Sequence, residues 1–298
     1  MKQTHGFSLQ KYSVTGLILI AGLSTVSPSH SAPSDMQAGI SVLHDDNITR
    51  TMNSGNRISD QSLGVSVSQP FVIPVSENIR TILTGTLGME QYSDLDKLSN
   101  VSGRLQGEFQ YRGSAEFGTP TYALFAKAAL VDYRSKQRDG LEYSFGISAR
   151  KTFTDRINVY AAIFHHQRNG KNTVFQNQYD GVMINLDYDI RSIGTLYLGG
   201  EYRDGDMAIS ALWWNWYPAR SPSDITNDDA FSGWSYRVKG TTQILKAGFN
   251  LPVGQRGSLD FSWNMADSSA TYWTSLGSSA SKGSYTTNQY SIAYLFRF

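Results

Sequence analysis

Large apolar and polar residues alternate along most of this 298-residue chain. In segment 101–111, the odd positions hold Val, Gly, Leu, Gly, Phe and Tyr, and the even positions hold Ser, Arg, Gln, Glu and Gln. Successive side chains of a β-strand point to opposite faces, so this pattern predicts a strand with one apolar and one polar face. The alternation is equally clear in 141–150, 182–190, 196–203, 259–266 and 289–298, and weaker in 37–46, 62–71, 79–92, 121–133, 157–167 and 234–251.

These segments predict about twelve strands, with ten or fourteen as alternatives. In one predicted strand the large apolar residues shift from even to odd positions. Tyr236 and Val238 occupy even positions, whereas Phe249 and Leu251 occupy odd ones. We therefore expect a β-bulge near Ile244 and Leu245, where one extra residue would restore the alternation.

The connections between strands alternate in length. Short links rich in Gly, Pro, Asn and Asp, which are turn-forming residues, lie at 74–78, 113–120, 153–156, 191–194 and 252–257. Longer polar links lie at 47–60, 93–100, 135–140, 169–178, 204–233 and 267–284. This predicts an all-β, antiparallel up-and-down barrel with short turns at one end and long loops at the other.

Composition favours a barrel that crosses a membrane. The chain carries 17 Tyr, 14 Phe and 6 Trp, yet its mean hydropathy is only −0.33. A transmembrane barrel has this profile, because half of each strand faces lipid, half faces a polar interior, and aromatic residues lie at both interfaces. The alternative, a soluble β-sandwich, would enclose the apolar faces instead of the charged ones. A net charge of +1 argues against a nucleic-acid partner.

The first residues resemble an export signal. Lys2, His5 and Lys11 precede an uncharged run at 14–26, which is too short to span a membrane as a helix. Small residues at Ser29 and Ser31 suit cleavage after position 31. We expect a signal peptide at 1–31 and a barrel at 32–298. The chain has no Cys, and its five His show no metal-ligand spacing, so no metal or cofactor is expected.

The C-terminal segment carries the most specific resemblance. Tyr290, Ile292, Tyr294, Phe296 and Phe298 alternate with smaller or polar residues. This strand resembles the last strand of Gram-negative outer-membrane β-barrels. The resemblance implies residence in the outer membrane among lipids and lipopolysaccharide, with extracellular long loops. It also implies that barrel-assembly machinery recognises the chain, with an assembly signal at Tyr294, Phe296 and Phe298.

Charged residues on the polar faces would line the barrel interior. The candidates are Arg80, Arg104, Glu108, Lys127, Glu142, Arg150, Asp187, Glu201, Arg203, Arg237, Lys239, Asp260 and Arg297. One interpretation is a narrow pore for small polar solutes, whose charged wall selects among them and whose mild basic excess favours anions. The alternative is a closed lumen in which these groups pair with each other. A twelve-stranded barrel lies between filled and channel-forming sizes, so the sequence leaves both open.

Two further resemblances concern other functions. Residues 166–170, His-Gln-Arg-Asn-Gly, resemble the His-x-Ser-Asn-Gly signature of outer-membrane phospholipases, but Arg168 occupies the nucleophile position. An Arg has no hydroxyl for an acyl-enzyme, so we expect no catalytic residue and no enzyme. Residues 168–172 with 178–180 are similar to barrels of surface lipoprotein assembly modifiers and exopolysaccharide-export proteins. Export is therefore the alternative function, and a lipid-modifying enzyme the third.

An aromatic cluster lies in the longest loop. Trp213, Trp214 and Trp216 precede the acidic residues Asp224 and Asp228. Exposed aromatic rings beside polar groups can stack on sugars. The other interpretation is that the three Trp extend the outer aromatic girdle or fold inward as a plug.

Overall fold

A computed structural model describes residues 36–211, 224–273 and 280–298. Within them, one antiparallel sheet contains every strand, and each neighbouring pair is hydrogen-bonded. The strands are β1 (Gln37–Asp45), β2 (Asp60–Pro74), β3 (Ile79–Tyr92), β4 (Asn100–Arg112), β5 (Thr121–Tyr133), β6 (Gly140–Thr152), β7 (Ile157–Gly170), β8 (Asn177–Ile190), β9 (Gly194–Ala211), β10 (Ile225–Asp228), β11 (Gly233–Val253), β12 (Gly257–Trp273) and β13 (Ala280–Arg297).

The sheet closes on itself as a barrel. Strand β13 pairs with β1 from Gln37 opposite Arg297 to Asp45 opposite Gln289. Strand β9 pairs directly with β11, while the four-residue β10 pairs only with the start of β11. The wall therefore has twelve strands, and β10 is an addition at one end. The predicted all-β, twelve-stranded antiparallel barrel is confirmed.

Exposure separates the two faces of the wall. Alternate positions hold large exposed apolar side chains, such as Leu87 at 69%, Leu105 at 61% and Leu130 at 67%. Neighbouring positions on the other face hold buried small or polar residues such as Ser102 and Ala129. An outward apolar band around a polar interior is the arrangement that a bilayer requires of a barrel. The described helices are single 3-10 turns at Ser54–Asn56, Asp96–Leu98, Lys136–Arg138 and Thr173–Phe175.

No helix in the described part of the chain is long and apolar enough to cross a membrane.

The short links join the strands as predicted, but two long links are shorter than expected. Strand β9 continues to Ala211, and β12 and β13 extend to Trp273 and from Ala280. The predicted loops 204–233 and 267–284 are therefore wrong at their ends. Polar residues such as Asp204 and Asp267 occupy outward positions above the apolar band, so the apolar alternation stops before the hydrogen-bond ladder does.

The expected bulge in β11 is also wrong. Its ladders with β9 and β12 run without interruption through Ile244 and Leu245. The frame changes because Tyr236 and Val238 point inward, where they are only 2% and 1% exposed. They pack with Ile209, Ala270 and Tyr285 in an apolar cluster at the long-loop end. The strand is therefore regular throughout. The pattern shifts because the inward face of β11 becomes apolar near the long loops, and no residue is inserted.

The orientation of the barrel remains a prediction that surface labelling can test. We expect an epitope tag between β9 and β10 to be reached by antibody on intact cells, because long loops of such barrels face outward. A tag at Asp155, in a short turn, should be reached only after the outer membrane is permeabilised. Labelling of Asp155 on intact cells, with the other tag protected, would reverse the assignment.

Candidate functional site

Charged side chains from opposite walls face each other across the middle of the lumen. Glu201 on β9 accepts a hydrogen bond from Lys246 Nζ at 2.9 Å and from Arg203 Nε at 2.5 Å. Lys127 on β5 interacts electrostatically with Glu201 and Lys246, and with Arg104 on the neighbouring strand. The register places Lys127 opposite Gln106 and Ser144, both on the polar face. Lys127 thus points inward and is nevertheless exposed, so the lumen is accessible to water at this level.

The half of the lumen towards the short turns is also polar. The Tyr197 hydroxyl donates to Asp260 at 2.9 Å, and Arg80 Nε donates to Gln110 at 2.7 Å. The guanidinium carbon of Arg150 lies 5.6 Å from the ring centre of Tyr160. These groups belong to six different strands, and closure of the sheet brings them to one lumen.

Towards the long loops the lumen becomes crowded. Arg168 Nε lies 3.6 Å from Glu142, and Arg203 stacks over the Tyr179 ring at 5.0 Å. His166 also stacks on Tyr179, and its Nδ1 lies 2.9 Å from the Ser144 hydroxyl. The sequence did not predict this contact between His166 and Ser144. The two residues lie on adjacent strands, and nothing in the sequence gives the register between those strands.

The structure brings most of the candidate residues to the inner face. Their inward positions follow from the pairing register and are Arg80, Arg104, Glu108, Lys127, Glu142, Arg150, Asp187, Glu201, Arg203, Asp260 and Arg297, of which Arg297 lies exposed at the short-turn mouth. The inward placement of Arg237 and Lys239 is wrong. Both lie on the opposite face of β11, because Tyr236 and Val238 hold the inward positions. Trp213, Trp214 and Trp216 lie outside the described residues.

The long-loop mouth of the lumen is covered by residues 46–59, 93–99, 134–139, 171–176 and 224–232, which we call the loop cap. Its apolar core is formed by Ile48, Leu98, Ala230 and Phe231, which come from three different connections. The backbone N–H of Ser210, at the end of β9, donates to the Thr49 carbonyl at 3.0 Å. Loops from opposite sides of the barrel therefore meet over its opening.

One buried ion pair and one hydrogen bond hold the β10–β11 hairpin to the other loops, and we call these two contacts the latch. Arg138 binds Asp228, whose side chain is fully buried and also accepts from Ser235. The Arg138 guanidinium carbon lies 4.0 Å from the ring centre of Phe175. Arg237 binds Asp224 at 2.5 Å and donates to the Gln176 carbonyl at 3.2 Å. The latch ties this hairpin to the loops that follow β5 and β7.

The cap is held by ionised groups at neutral pH. Burial favours the neutral form of Asp139, but hydrogen bonds from Lys171 and the Tyr133 N–H outweigh it, and the pKa of Asp139 is lowered from its ordinary value of 3.8. A carboxyl with a lowered pKa stabilises the fold above its ordinary pKa and loses that contribution as the pH falls through the lowered value. This part of the cap therefore weakens only in acid.

The acidic residues of the cap bind neighbouring side chains. In the structure, Asp224 and Asp228 bind Arg side chains, and Asp229 lies 3.4 Å from Lys97 and 2.5 Å from Ser135. The parts of the chain that the structure describes contain no group of three or more His, Asp or Glu side chains that could hold a metal ion. Arg138 and Asp228 lie 90 residues apart in the sequence, so no local pattern reveals their contact.

Comparison with solved structures finds barrels of similar fold. An outer-membrane channel from Pseudomonas putida F1 is 11% identical, with a TM-score of 0.54 over 92% of this chain and 100% of that chain. The chain has the fold of an outer-membrane β-barrel. The KdgM porin in complex with oligogalacturonate is 10% identical over 88% of this chain and 99% of that chain, with a TM-score of 0.44.

The translocator domain of the autotransporter NalP from Neisseria meningitidis is also 10% identical, with a TM-score of 0.44 over 90% of each chain. A likeness at 11% identity establishes the fold and leaves the activity open. No protein-family model matches the chain. No curated protein matches it either.

Proposed function

We propose that this barrel is a narrow, loop-capped channel for small polar solutes in the outer membrane. The observation that carries the proposal is Lys127, which points into the lumen and is still exposed. A dry lumen would impose a desolvation cost of several kcal/mol on such a charge. The interior below the cap is therefore a hydrated path, and ions and small solutes can share it.

The proposed channel is not an enzyme. Arg168 holds the position where a lipase-like signature would need its Ser, and its side chain contacts Glu142 and the Arg138 carbonyl. A hydrolytic site needs a third group that orients the His, and in the described part of the chain His166 is hydrogen-bonded to Ser144 alone. The barrel wall is surrounded by outer-membrane lipids and lipopolysaccharide, and we propose that the barrel-assembly machinery inserts it.

The channel is tested in planar bilayers through two inward arginines. We expect the wild-type protein to conduct, and the double variant Arg104→Glu, Arg150→Glu to shift the reversal potential in a salt gradient towards cation selectivity. The physical reason is that charges lining a narrow wet lumen set ion selectivity directly. Both strands keep their outward apolar faces, so the barrel should still fold.

The control is Arg191→Glu, which changes a charge in a short exposed turn where Arg191 pairs with Asp155. It should leave the reversal potential near the wild-type value. Wild-type protein that inserts but conducts nothing would reject the channel and favour export or enzymatic alternatives. An unchanged reversal potential in the double variant would show that ions do not pass these two side chains.

A further inference from the structure

Charge is distributed unequally around the lumen. Arg80, Arg104, Lys127 and Arg150 lie on the neighbouring strands β3 to β6, which we call the basic wall. The acidic side chains Asp187, Glu201 and Asp260 lie on the facing strands β8, β9 and β12. A solute in the lumen therefore meets four cations on one side and, on the other, carboxylates that alternate with the cations Arg203 and Lys246.

The main carboxylates of the facing wall already have partners. Glu201 is bound by two cations, Arg203 and Lys246. Both oxygens of Asp260 lie within reach of the Tyr197 hydroxyl, at 2.9 and 3.2 Å. Asp187 differs, because within the described residues it forms no ion pair and its electrostatic neighbour Arg150 lies two strands away on β6. The negative charge of this wall is thus largely engaged within the protein.

The cations of the basic wall are held in a different way. Within the described ranges 36–211, 224–273 and 280–298, neither Lys127 nor Arg150 forms an ion pair. Instead, Lys127 Nζ lies 5.4 Å from the ring centre of Phe125, and Arg150 lies over Tyr160. A ring face attracts and orients a cation without cancelling its charge. The N–H donors of these two side chains therefore remain available to a solute.

Carboxylates also lie on the inner faces of these strands. Glu90 on β3 accepts a hydrogen bond from Ser62, Glu142 on β6 lies 3.6 Å from Arg168, and Glu108 on β4 lies among the four cations. Glu108 accepts hydrogen bonds from Gln106 at 2.6 Å and from Gln110 at 2.8 Å. These two amides occupy both oxygens of Glu108 and hold the carboxylate along its own strand. Glu90 and Glu142 lie nearer the long loops, and Glu108 offsets only part of the charge of its four basic neighbours, so this stretch of the wall stays positive.

We propose that the basic wall is a binding track for small organic anions, so that the channel carries carboxylate- or phosphate-bearing solutes in preference to neutral or cationic ones. This inference rests on the proposed channel and names its class of solute. Arg150 pairs with Thr121, six residues along β5 from Lys127, which corresponds to about 20 Å of strand. A small anion would therefore pass from Arg150 and Arg80 to Lys127 and Arg104 in separate steps.

The test uses proteoliposomes and solutes of nearly equal size. We expect glucuronate to enter faster than glucose, and glucose faster than glucosamine. Glucose 6-phosphate distinguishes the two anionic groups: faster entry of only one of the two anions identifies carboxylate or phosphate as the preferred group. The variant Lys127→Met keeps the length of the side chain and should lower glucuronate entry about threefold or more, with little change for glucose, because it removes one charge from the track.

The matched control is Arg191→Gln, which removes one positive charge from an exposed turn outside the lumen. It should leave all uptake rates unchanged. Equal entry of glucose, glucuronate and glucosamine, or faster entry of glucosamine, would overturn the anion track while leaving the channel intact. Failure of all solutes to enter, with protein correctly inserted and heat-modifiable on gels, would instead reject the channel itself.

Discussion

Replacing Asp228 by Ala is expected to raise single-channel conductance severalfold by opening the loop cap. Asp228 is fully buried, and its carboxylate binds Arg138 while also accepting from Ser235 and the Ala230 N–H. Removal of one partner of a buried ion pair leaves the other charge uncompensated, at a cost of about 3–5 kcal/mol. That cost falls on the contacts that hold β10 over the mouth, so the hairpin should leave the cap. Planar-bilayer recording measures the effect, and limited proteolysis within 224–232 reports release of the hairpin.

Two matched variants separate this effect from general damage. Asp155 also pairs with an arginine, Arg191, but in an exposed short turn. The variant Asp155→Ala should therefore leave conductance unchanged. The double variant Arg138→Met, Asp228→Leu replaces the buried pair with apolar side chains of comparable size, which proteins often tolerate without loss of stability. It should restore the low conductance of the closed cap. If the hairpin of Asp228→Ala becomes protease-sensitive while conductance stays at the wild-type level, the cap does not control the path.

Deletion of Phe298 is expected to abolish assembly. Phe298 is 54% exposed, its ring packs edge-on against Phe296 at 5.1 Å, and its backbone N–H donates to the Met36 carbonyl at 3.0 Å. Its resemblance to the terminal residue of outer-membrane barrels implies that the assembly machinery reads this aromatic residue. The truncated chain should accumulate as periplasmic, protease-sensitive protein without heat-modifiable migration on gels.

A conservative and a positional control accompany the deletion. Phe298→Trp keeps an aromatic residue at the end and should assemble. Phe153→Ala removes an aromatic side chain of similar exposure from a short turn at the same end of the barrel, and should also assemble. Normal folding of the deletion variant would mean that the C-terminal match is a strand pattern and carries no assembly signal.

The wall of the barrel follows closely from sequence. Alternation in segments such as 101–111 and 141–150 marks strands whose two faces meet lipid and water, and those environments differ enough to leave a strong pattern. The prediction was wrong where this contrast disappears. The ends of β9, β12 and β13 stand above the apolar band, and in β11 the inward face changes from polar to apolar at Val238.

The candidate site was predictable as a list of side chains but not as an arrangement. The alternation assigns Lys127 and Glu201 to inner faces, yet their meeting across the lumen depends on the number of strands and on the stagger of the closed sheet. The stacking of Arg150 on Tyr160 depends on the register between β6 and β7. Registers of this kind are determined by pairing along whole strands.

By itself, the sequence indicated about twelve wall strands, and it determined the apolar and polar face of most of them and the alternation of short and long links. These features are local, because each depends on residues close together in the chain and on the solvent that they meet. Only the tertiary structure decided that the long loops fold over the lumen and that Arg138 reaches Asp228, 90 residues away. Contacts of this kind form only after the barrel has closed and brought distant loops to one mouth. The periodicity of apolar and polar residues along the chain therefore cannot predict them.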